Sequence, residues 1–303
     1  MNGILPLWKE KGMTSHDCVY KLRKILGTKK VGHTGTLDPS VEGVLPICIG
    51  QATKVAEYIT DAGKEYVAVI SIGKATETED ADGAIVTENN EFKRFSRLEI
   101  ENTLKKLTGE IEQTPPMYSA VKVNGHKLYE YARKGIEVER PKRMVKIHEL
   151  ELLDEKCEFE GTDVSFKIRI NCGKGTYIRT LAVQIGELLG YPAHMASLVR
   201  TASGTYRKSD CHTLKELELL KEANQLETCI RPLEDALVDF PIVEVDDADY
   251  ANIIHGQVLP KNPILDKGHP IVFMKNNKAL AVYKIHPTKP ELMKPEKMFP
   301  RNC

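Results

Sequence analysis

Lys29-Lys30-Val31-Gly32-His33-Thr34-Gly35-Thr36-Leu37-Asp38-Pro39-Ser40-Val41-Glu42-Gly43-Val44-Leu45-Pro46 is the stretch on which the reading of this 303-residue chain turns. Its glycines mark a backbone that bends sharply or approaches something closely. Between them sit hydroxyls, an imidazole and a carboxylate. Pro39 disfavours the helical region for the residue before it, so Asp38 is expected on an extended loop segment. The apolar run Val44 to Ile49 then reads as a buried strand. A carboxylate on a loop that dives into a core strand is held still, which is what a reacting group requires.

Pattern alone leaves two roles open for Asp38: a cap on a structural turn, or a nucleophilic or acid–base group. A third reading fails. Gly27 to Thr34 fits the phosphate-loop spacing G-x-x-x-x-G-K-[ST] except that His33 stands in the place of the lysine. The segment before it, Val19 to Leu26, is helical in its periodicity, whereas a phosphate loop follows a strand.

Outward from the loop, Thr14 or Ser15 caps a helix carrying Val19, Leu22, Ile25 and Leu26, with Gly27 as its stop. A short helix is expected over Ala52 to Tyr58, a strand over Tyr66 to Ile72, and an acidic loop over Thr76 to Gly83. Ser96-x-x-Glu99 is a capping box for a helix with Ile100, Leu104 and Leu107, stopped by Gly109. The paired prolines in Gln113 to Tyr118 dictate an extended connection. Val164, Phe166, Ile168 and Ile170 alternate with polar residues as a half-buried strand. It leads into a helix with Leu181, Ile185, Leu188 and Leu189, stopped by Gly190, which places Tyr177 and Arg179 near a helix start. Leu198 sits in a strand-like stretch, Ala196 to Tyr206. With strands outnumbering helices and no βαβ rhythm, the fold class is α+β with a central mixed, mainly antiparallel sheet. After Asp210 a polar helix leads to Arg231-Pro232. Short strands over Ile242 to Val245, Ile271 to Met274 and Leu280 to Ile285 then indicate a small β-rich C-terminal domain.

Lysine plus arginine equals aspartate plus glutamate, so the net charge is zero and the total gives no sign of a polyanionic partner. The placement is uneven, however. From Val121 to Lys146 the chain carries Lys122, Lys127, Arg133, Lys134, Arg140, Lys142, Arg143 and Lys146 against Glu130, Glu137 and Glu139, with Tyr129 and Tyr131 interleaved. Such a run is either a solvated face or an RNA clamp, and the local excess favours the clamp. The seven cysteines are widely spaced with no C-x-x-C pair, which fits a reducing, cytoplasmic compartment better than a disulfide framework or a metal site. Met1 to Lys11 lacks the pattern of a signal peptide, and no apolar run approaches the roughly 20 residues needed to span a membrane.

Several islands together resemble one family. Gly32-His33-Thr34-Gly35-Thr36-Leu37-Asp38-Pro39 through Gly43-Val44-Leu45-Pro46 is similar to the catalytic motif of the bacterial tRNA pseudouridine synthases of the TruB type. So are Lys9 with Gly12-Met13-Thr14-Ser15-His16-Asp17, then Lys64-Glu65-Tyr66, and Thr78-Glu79-Asp80-Ala81-Asp82-Gly83. Pro115-Pro116-Met117-Tyr118-Ser119-Ala120 and Gly173-Lys174-Gly175-Thr176-Tyr177-Ile178-Arg179-Thr180-Leu181 complete the set, in the family's order. Glu10 departs from the pattern, since the family usually has proline after the lysine matching Lys9.

The resemblance implies the pseudouridine synthase fold, with a catalytic domain over 1–235, a basic RNA-clamp insertion at about 121–146 and an RNA-binding (PUA-like) domain over 240–303. It implies isomerisation of the T-loop uridine (U55) of tRNA, on a base flipped out of its stack. Asp38 is then the nucleophile, on C6 of the base or C1′ of the ribose. Arg179 is the cation that keeps it ionised, and Tyr66 stacks on the uracil and relays the C5 proton. Lys9, His33, Tyr66, Tyr177 and Leu198 are implied substrate-binding positions. The reaction calls for no cofactor and no metal, and the expected partner is the tRNA T stem-loop, bound by a monomer without a membrane. The alternative is a non-catalytic RNA-binding or tRNA-folding protein using the same surface. An aspartyl-phosphate phosphatase is less well supported, because no second carboxylate follows two residues after Asp38.

Overall fold

The structure is a computed structural model that describes residues 1–300. Cys303 and the last residues of the expected 240–303 domain lie outside the described residues.

The α+β architecture is built on a nine-stranded mixed sheet. Across it run Gly3–Lys9, Glu42–Ile49, Ala193–Ser203, Lys64–Ile72, Val164–Cys172, Arg143–Leu152 and Gly109–Gln113, with Val31–His33 and Tyr206–Arg207 added at the sides. The central strands Lys64–Ile72 and Val164–Cys172 alternate strictly between buried and more open residues, so one set of side chains faces the core. Neighbours are antiparallel except for one contact, where Val199 and Arg200 run parallel to Glu42 and Gly43. Gly43 makes that contact possible. It sits at φ +135°, and a Cβ there would lie 2.3 Å from the Arg200 carbonyl oxygen.

Helices cover the core face. Ser15–Leu26 begins with a complete Thr14–Asp17 capping box and ends on Gly27 in the left-handed region. It buries Cys18, Val19, Leu22 and Ile25, each large apolar side chain contributing about 1.5–3 kcal/mol. Ile178–Leu189 likewise stops at Gly190 and buries Leu181, Ala182 and Ile185. The Ser96–Glu99 capping box also forms, but its helix spans Arg97–Lys106, and Gly109 opens the next strand instead of ending the helix. The expected helix over 52–58 is split: a 3-10 turn Gly50–Lys54 breaks at Val55 before a helix Ala56–Asp61.

The basic segment is shorter than its charge pattern suggested. A hairpin (Lys122–Val123 with His126–Lys127) and a short helix, Leu128–Ala132, form it, whereas Arg143 to Lys146 already pair with Gly109–Gln113 in the central sheet.

A second, five-stranded sheet follows, ordered Ile242–Glu244, Ile271–Lys275, Lys278–Ile285, Leu292–Met298, Leu259–Pro260. The strand Leu292–Met298 and the helix Asp247–Ile254 have no clear sequence signal, because Pro295 and three charged residues interrupt the strand's alternation. This sheet packs on the far side of the central one. Ile4, Val44 and Cys48 share an apolar cluster with Val272, Val282 and Phe299.

Candidate active site

The Asp38 loop takes its shape from side chains that reach in from other elements. Ser15 accepts the Leu37 N–H at 2.8 Å and donates back to the Leu37 carbonyl at 3.2 Å. Thr34 donates its hydroxyl to the Pro46 carbonyl at 3.1 Å. Lys9 is fully buried, its ammonium 2.6 Å from the Val41 carbonyl and within reach of those of Pro39 and Glu10. Backbone oxygens that would otherwise wander in water are thus each assigned a donor.

Asp38 emerges from this scaffold toward Arg179, whose Nη2 lies 3.0 Å from Asp38 Oδ2. The exposures differ in a useful way: the Asp38 side chain is 39% accessible and that of Arg179 only 7%. The carboxylate is reachable while its counter-ion is walled in. Arg179 also donates to the carbonyls of Thr78 at 3.1 Å and Tyr118 at 2.9 Å, and its Nε is 3.7 Å from Asp80. Burial pushes the Asp38 carboxyl above its ordinary range, the Arg179 charge pulls it back, and Asp80 adds to the upward push. The result is a carboxyl raised above the usual aspartate value with its cation in contact.

These residues border a cavity of about 350 Å³ lined by Asp38, Tyr66, Tyr118, Tyr129, Tyr177 and Leu198, with Arg179 in its wall. Flat rings round one carboxylate suit a planar heterocycle. Tyr66 comes from the central strand, is buried, and has its phenol raised by that burial against the opposing charge of Arg200. Tyr177 caps the helix Ile178–Leu189, and the buried Gln113 holds its backbone at both the N–H (3.0 Å) and the carbonyl (3.2 Å). A second cavity of about 350 Å³, between Tyr58, Lys64, Tyr206 and Asp235, contains none of the expected site residues.

Five of the sequence candidates therefore meet: Asp38, Tyr66, Tyr177, Arg179 and Leu198. Lys9 and His33 do not line the cavity. Lys9 lies beneath the loop with its charge directed at carbonyls, and is a strut of the site, not a wall of it. His33 is half-buried on the strand Val31–His33, its Nδ1 accepting the Gly35 N–H at 3.3 Å, and burial lowers its pKa. Asp80, Gln113 and Arg200 are residues to which the sequence reading gave no role of their own, and Tyr129, expected only in the basic clamp, reaches the cavity wall. For Arg200 a signal existed: it stands two residues after Leu198 on one strand, hence on the same face. Among the described residues no group of three or more His, Cys, Asp or Glu side chains could hold a metal ion. No helix there is long and apolar enough to cross a membrane.

The mixed sheet carries a carboxylate–guanidinium pair at a ring-lined cavity, and comparison with known proteins gives the class of enzyme. A family description, "TruB family pseudouridylate synthase (N terminal domain)", matches residues 23–178. A second, "tRNA pseudouridylate synthase B C-terminal domain", matches 179–238. The chain belongs to the TruB family of pseudouridylate synthases, which are isomerases. Among curated relatives, "tRNA pseudouridine synthase B" of Listeria welshimeri is 55% identical, covering 100% of this chain and 99% of that protein. The protein of the same name from Geobacillus thermodenitrificans is 54% identical over 99% of this chain and 100% of its own. Of solved structures, the archaeal box H/ACA sRNP Nop10–Cbf5 complex is similar at TM-score 0.69 and 27% identity, covering 99% of this chain and 87% of that one. An H/ACA RNP bound to a substrate RNA containing 2′-deoxyuridine is similar at TM-score 0.70 and 27% identity, covering 99% and 85%.

Proposed function

We propose that this protein converts the T-loop uridine of tRNA, U55, to pseudouridine, with Asp38 as nucleophile on a base turned out of its stack. The observation that carries the reading is the 3.0 Å Asp38–Arg179 pair at the mouth of a cavity walled by Tyr66, Tyr177 and Leu198. The relatives at 54–55% identity are named as tRNA pseudouridine synthases, which points to tRNA as the substrate class.

Isomerisation breaks the bond between uracil N1 and ribose C1′, turns the base, and joins C5 to C1′. A proton leaves C5 and one is gained at N1, so atoms and electrons balance without a redox partner or group donor. Arg179, held by two carbonyls and Asp80, keeps the Asp38 carboxylate aimed into the cavity. Tyr66 stacks on the uracil and relays the C5 proton through its phenol. Tyr129 brings a ring and two nearby cations, Lys127 and Arg133 (5.3 and 5.2 Å from the ring centroid), to the rim, where a base and its phosphates have to pass. The sheet over 242–298 serves as a further RNA-binding unit, and the protein works as a cytoplasmic monomer.

The test is incubation with unmodified tRNA transcript, without added cofactor and with a chelator present, followed by mapping of pseudouridine. Formation at U55 alone, lost in Asp38→Asn, is the expected outcome. Conversion elsewhere, or equal conversion by Asp38→Asn, refutes the site or the nucleophile respectively. RNA binding without any conversion would favour a folding protein.

A further inference from the structure

Arg200 is 1% exposed, one of the largest side chains to be so completely buried in this fold. It makes no ion pair with a carboxylate among the described residues. Its Nε donates to the Val44 carbonyl at 2.7 Å and its Nη2 reaches the Gly35 carbonyl at 3.4 Å. Those two oxygens stand on either side of Asp38, so one guanidinium closes the reactive loop at both ends. Gly35, at φ +142°, lies so near that a Cβ there would be 3.7 Å from Arg200 Nη1 and 3.4 Å from Lys64 Cε. On the sheet, Arg200 is the register partner of Tyr66.

A buried charge faced only by neutral dipoles is expensive, and an apolar side chain of similar volume commonly serves such a place better. The field of Arg200 is felt around it. Lys64 is lowered to about 8 by burial and then by Arg200, and His33 is lowered by the same two causes in the same order. The Tyr66 phenol is raised by its burial, and Arg200 is the largest opposing influence. Asp38, on the loop that Arg200 closes, already has Arg179 as its partner.

We propose that Arg200 is a positioning residue of the isomerisation: it fixes both ends of the Asp38 loop and holds uncompensated positive charge beside Tyr66. The proposal rests on the function given above. A phenol that passes on the C5 proton must release its own proton to water as it takes up the new one, and so leaves the step unchanged. A cation beside Tyr66 favours the release of the phenol's own proton, and the phenolate so formed takes up the C5 proton and becomes phenol again. The loop bonds fix where Asp38 stands, and the charge sets how readily Tyr66 relays.

Three variants separate these roles: Arg200→Lys keeps the charge, Arg200→Gln keeps a donor without charge, and Arg200→Met keeps only bulk. Steady-state turnover of a T stem-loop RNA is expected to show kcat reduced about 100-fold in Arg200→Met and Arg200→Gln and about tenfold in Arg200→Lys, with KM within about threefold of the parent. The second readout needs no substrate. In RNA-free protein labelled with ¹³Cζ-tyrosine, the Tyr66 resonance, assigned by Tyr66→Phe, is expected to titrate at higher pH in Arg200→Met and Arg200→Gln than in the parent or Arg200→Lys. An unmoved resonance, a loss confined to KM, or kcat unchanged overturns the proposal. So does a set in which all three variants melt below the assay temperature, because Arg200 would then be a folding strut. Activity in Asp38→Asn would sink the nucleophile and leave the resonance result standing.

Discussion

The Asp38 loop and the 121–142 segment both border the same cavity, yet they are held in opposite ways. The loop is fixed from inside by buried Lys9, Ser15, Thr34, Arg179 and Arg200, almost every bond ending on a backbone oxygen. The segment buries Leu128 and otherwise relies on outer contacts, such as Lys142 with Glu112 at 2.8 Å, both more than half exposed. Exposed ion pairs contribute about 0–1 kcal/mol. A group that reacts needs a fixed place before substrate arrives, whereas a group that grips an irregular RNA gains from surfaces that adjust. Substitutions in the loop should therefore act on turnover, and those in the segment on affinity.

The largest effect is expected at Asp38. Asp38→Asn and Asp38→Ala should abolish pseudouridine formation while tRNA binding stays within about tenfold, about 1.4 kcal/mol. Folding should not suffer. Because the native carboxyl is raised above its unfolded value, its ionised form weakens the fold above that raised pKa, and Asn removes the cost. A large fall in melting temperature alongside lost activity would make Asp38 a structural cap and erase the contrast between the two regions.

Next in size is Arg179. Arg179→Met should reduce kcat by about 10²–10³-fold, the usual cost of losing one fixed donor. The pH profile gives the sign. Asp38 must be ionised, so activity falls as pH drops through its pKa, and burial already places that limb above the ordinary 3.8. Arg179 opposes the shift, so its removal should move the acid limb to still higher pH. A limb that stays in place means another group sets it.

How much of this was legible follows from which signals are local. The helix cap, expected at Thr14 or Ser15 and found at Thr14, the capping box at Ser96, the stops at Gly27 and Gly190, and the alternation of Val164 to Ile170 depend on near neighbours in sequence, and each appeared where its pattern put it. Asp38 and Arg179 are far apart in the chain, and only the family resemblance paired them. Lys9, expected beside the substrate, lies under the loop and not in the cavity wall, because burial, not charge, decides what an ammonium touches. The strand around Pro295 was missed because its neighbours, not its residues, recruit it into the sheet. The covering of Val44 by Val282 and Phe299 was equally hidden.

That covering gives the third prediction, since the Asp38 loop runs into the Val44 strand. Deleting 240–303 uncovers Ile4, Val44 and Cys48, at about 1.5–3 kcal/mol for each large apolar side chain exposed. The melting temperature should drop by several degrees or more, and stem-loop turnover should fall with it. If the small sheet also grips RNA, kcat/KM on whole tRNA should fall further than on the stem-loop. Equal losses on both substrates would limit the sheet to supporting the fold.

The smallest effects belong to the basic segment, and they separate cations that are free to meet phosphate from those already engaged. Lys122, Arg133 and Lys134 are exposed and in no ion pair among the described residues. Arg140, by contrast, donates to the Pro115 carbonyl at 3.0 Å and lies 3.9 Å from Glu79, while Lys142 sits on Glu112. Releasing a counterion from RNA needs a cation that is not already neutralised. Replacing Lys122, Arg133 and Lys134 together by alanine should therefore flatten the log–log salt dependence of tRNA affinity, by about 0.7 to 0.9 for each phosphate that the protein no longer neutralises. Replacing Arg140 and Lys142 should leave most of that slope intact and show instead in local stability, as earlier proteolysis of the 113–142 connection. The measurement is Kd across a salt series for both sets. If the two sets flatten the slope equally, RNA displaces the internal partners of Arg140 and Lys142, and the segment rearranges on binding. If neither set changes it, the segment is a solvated face and the phosphates are held elsewhere.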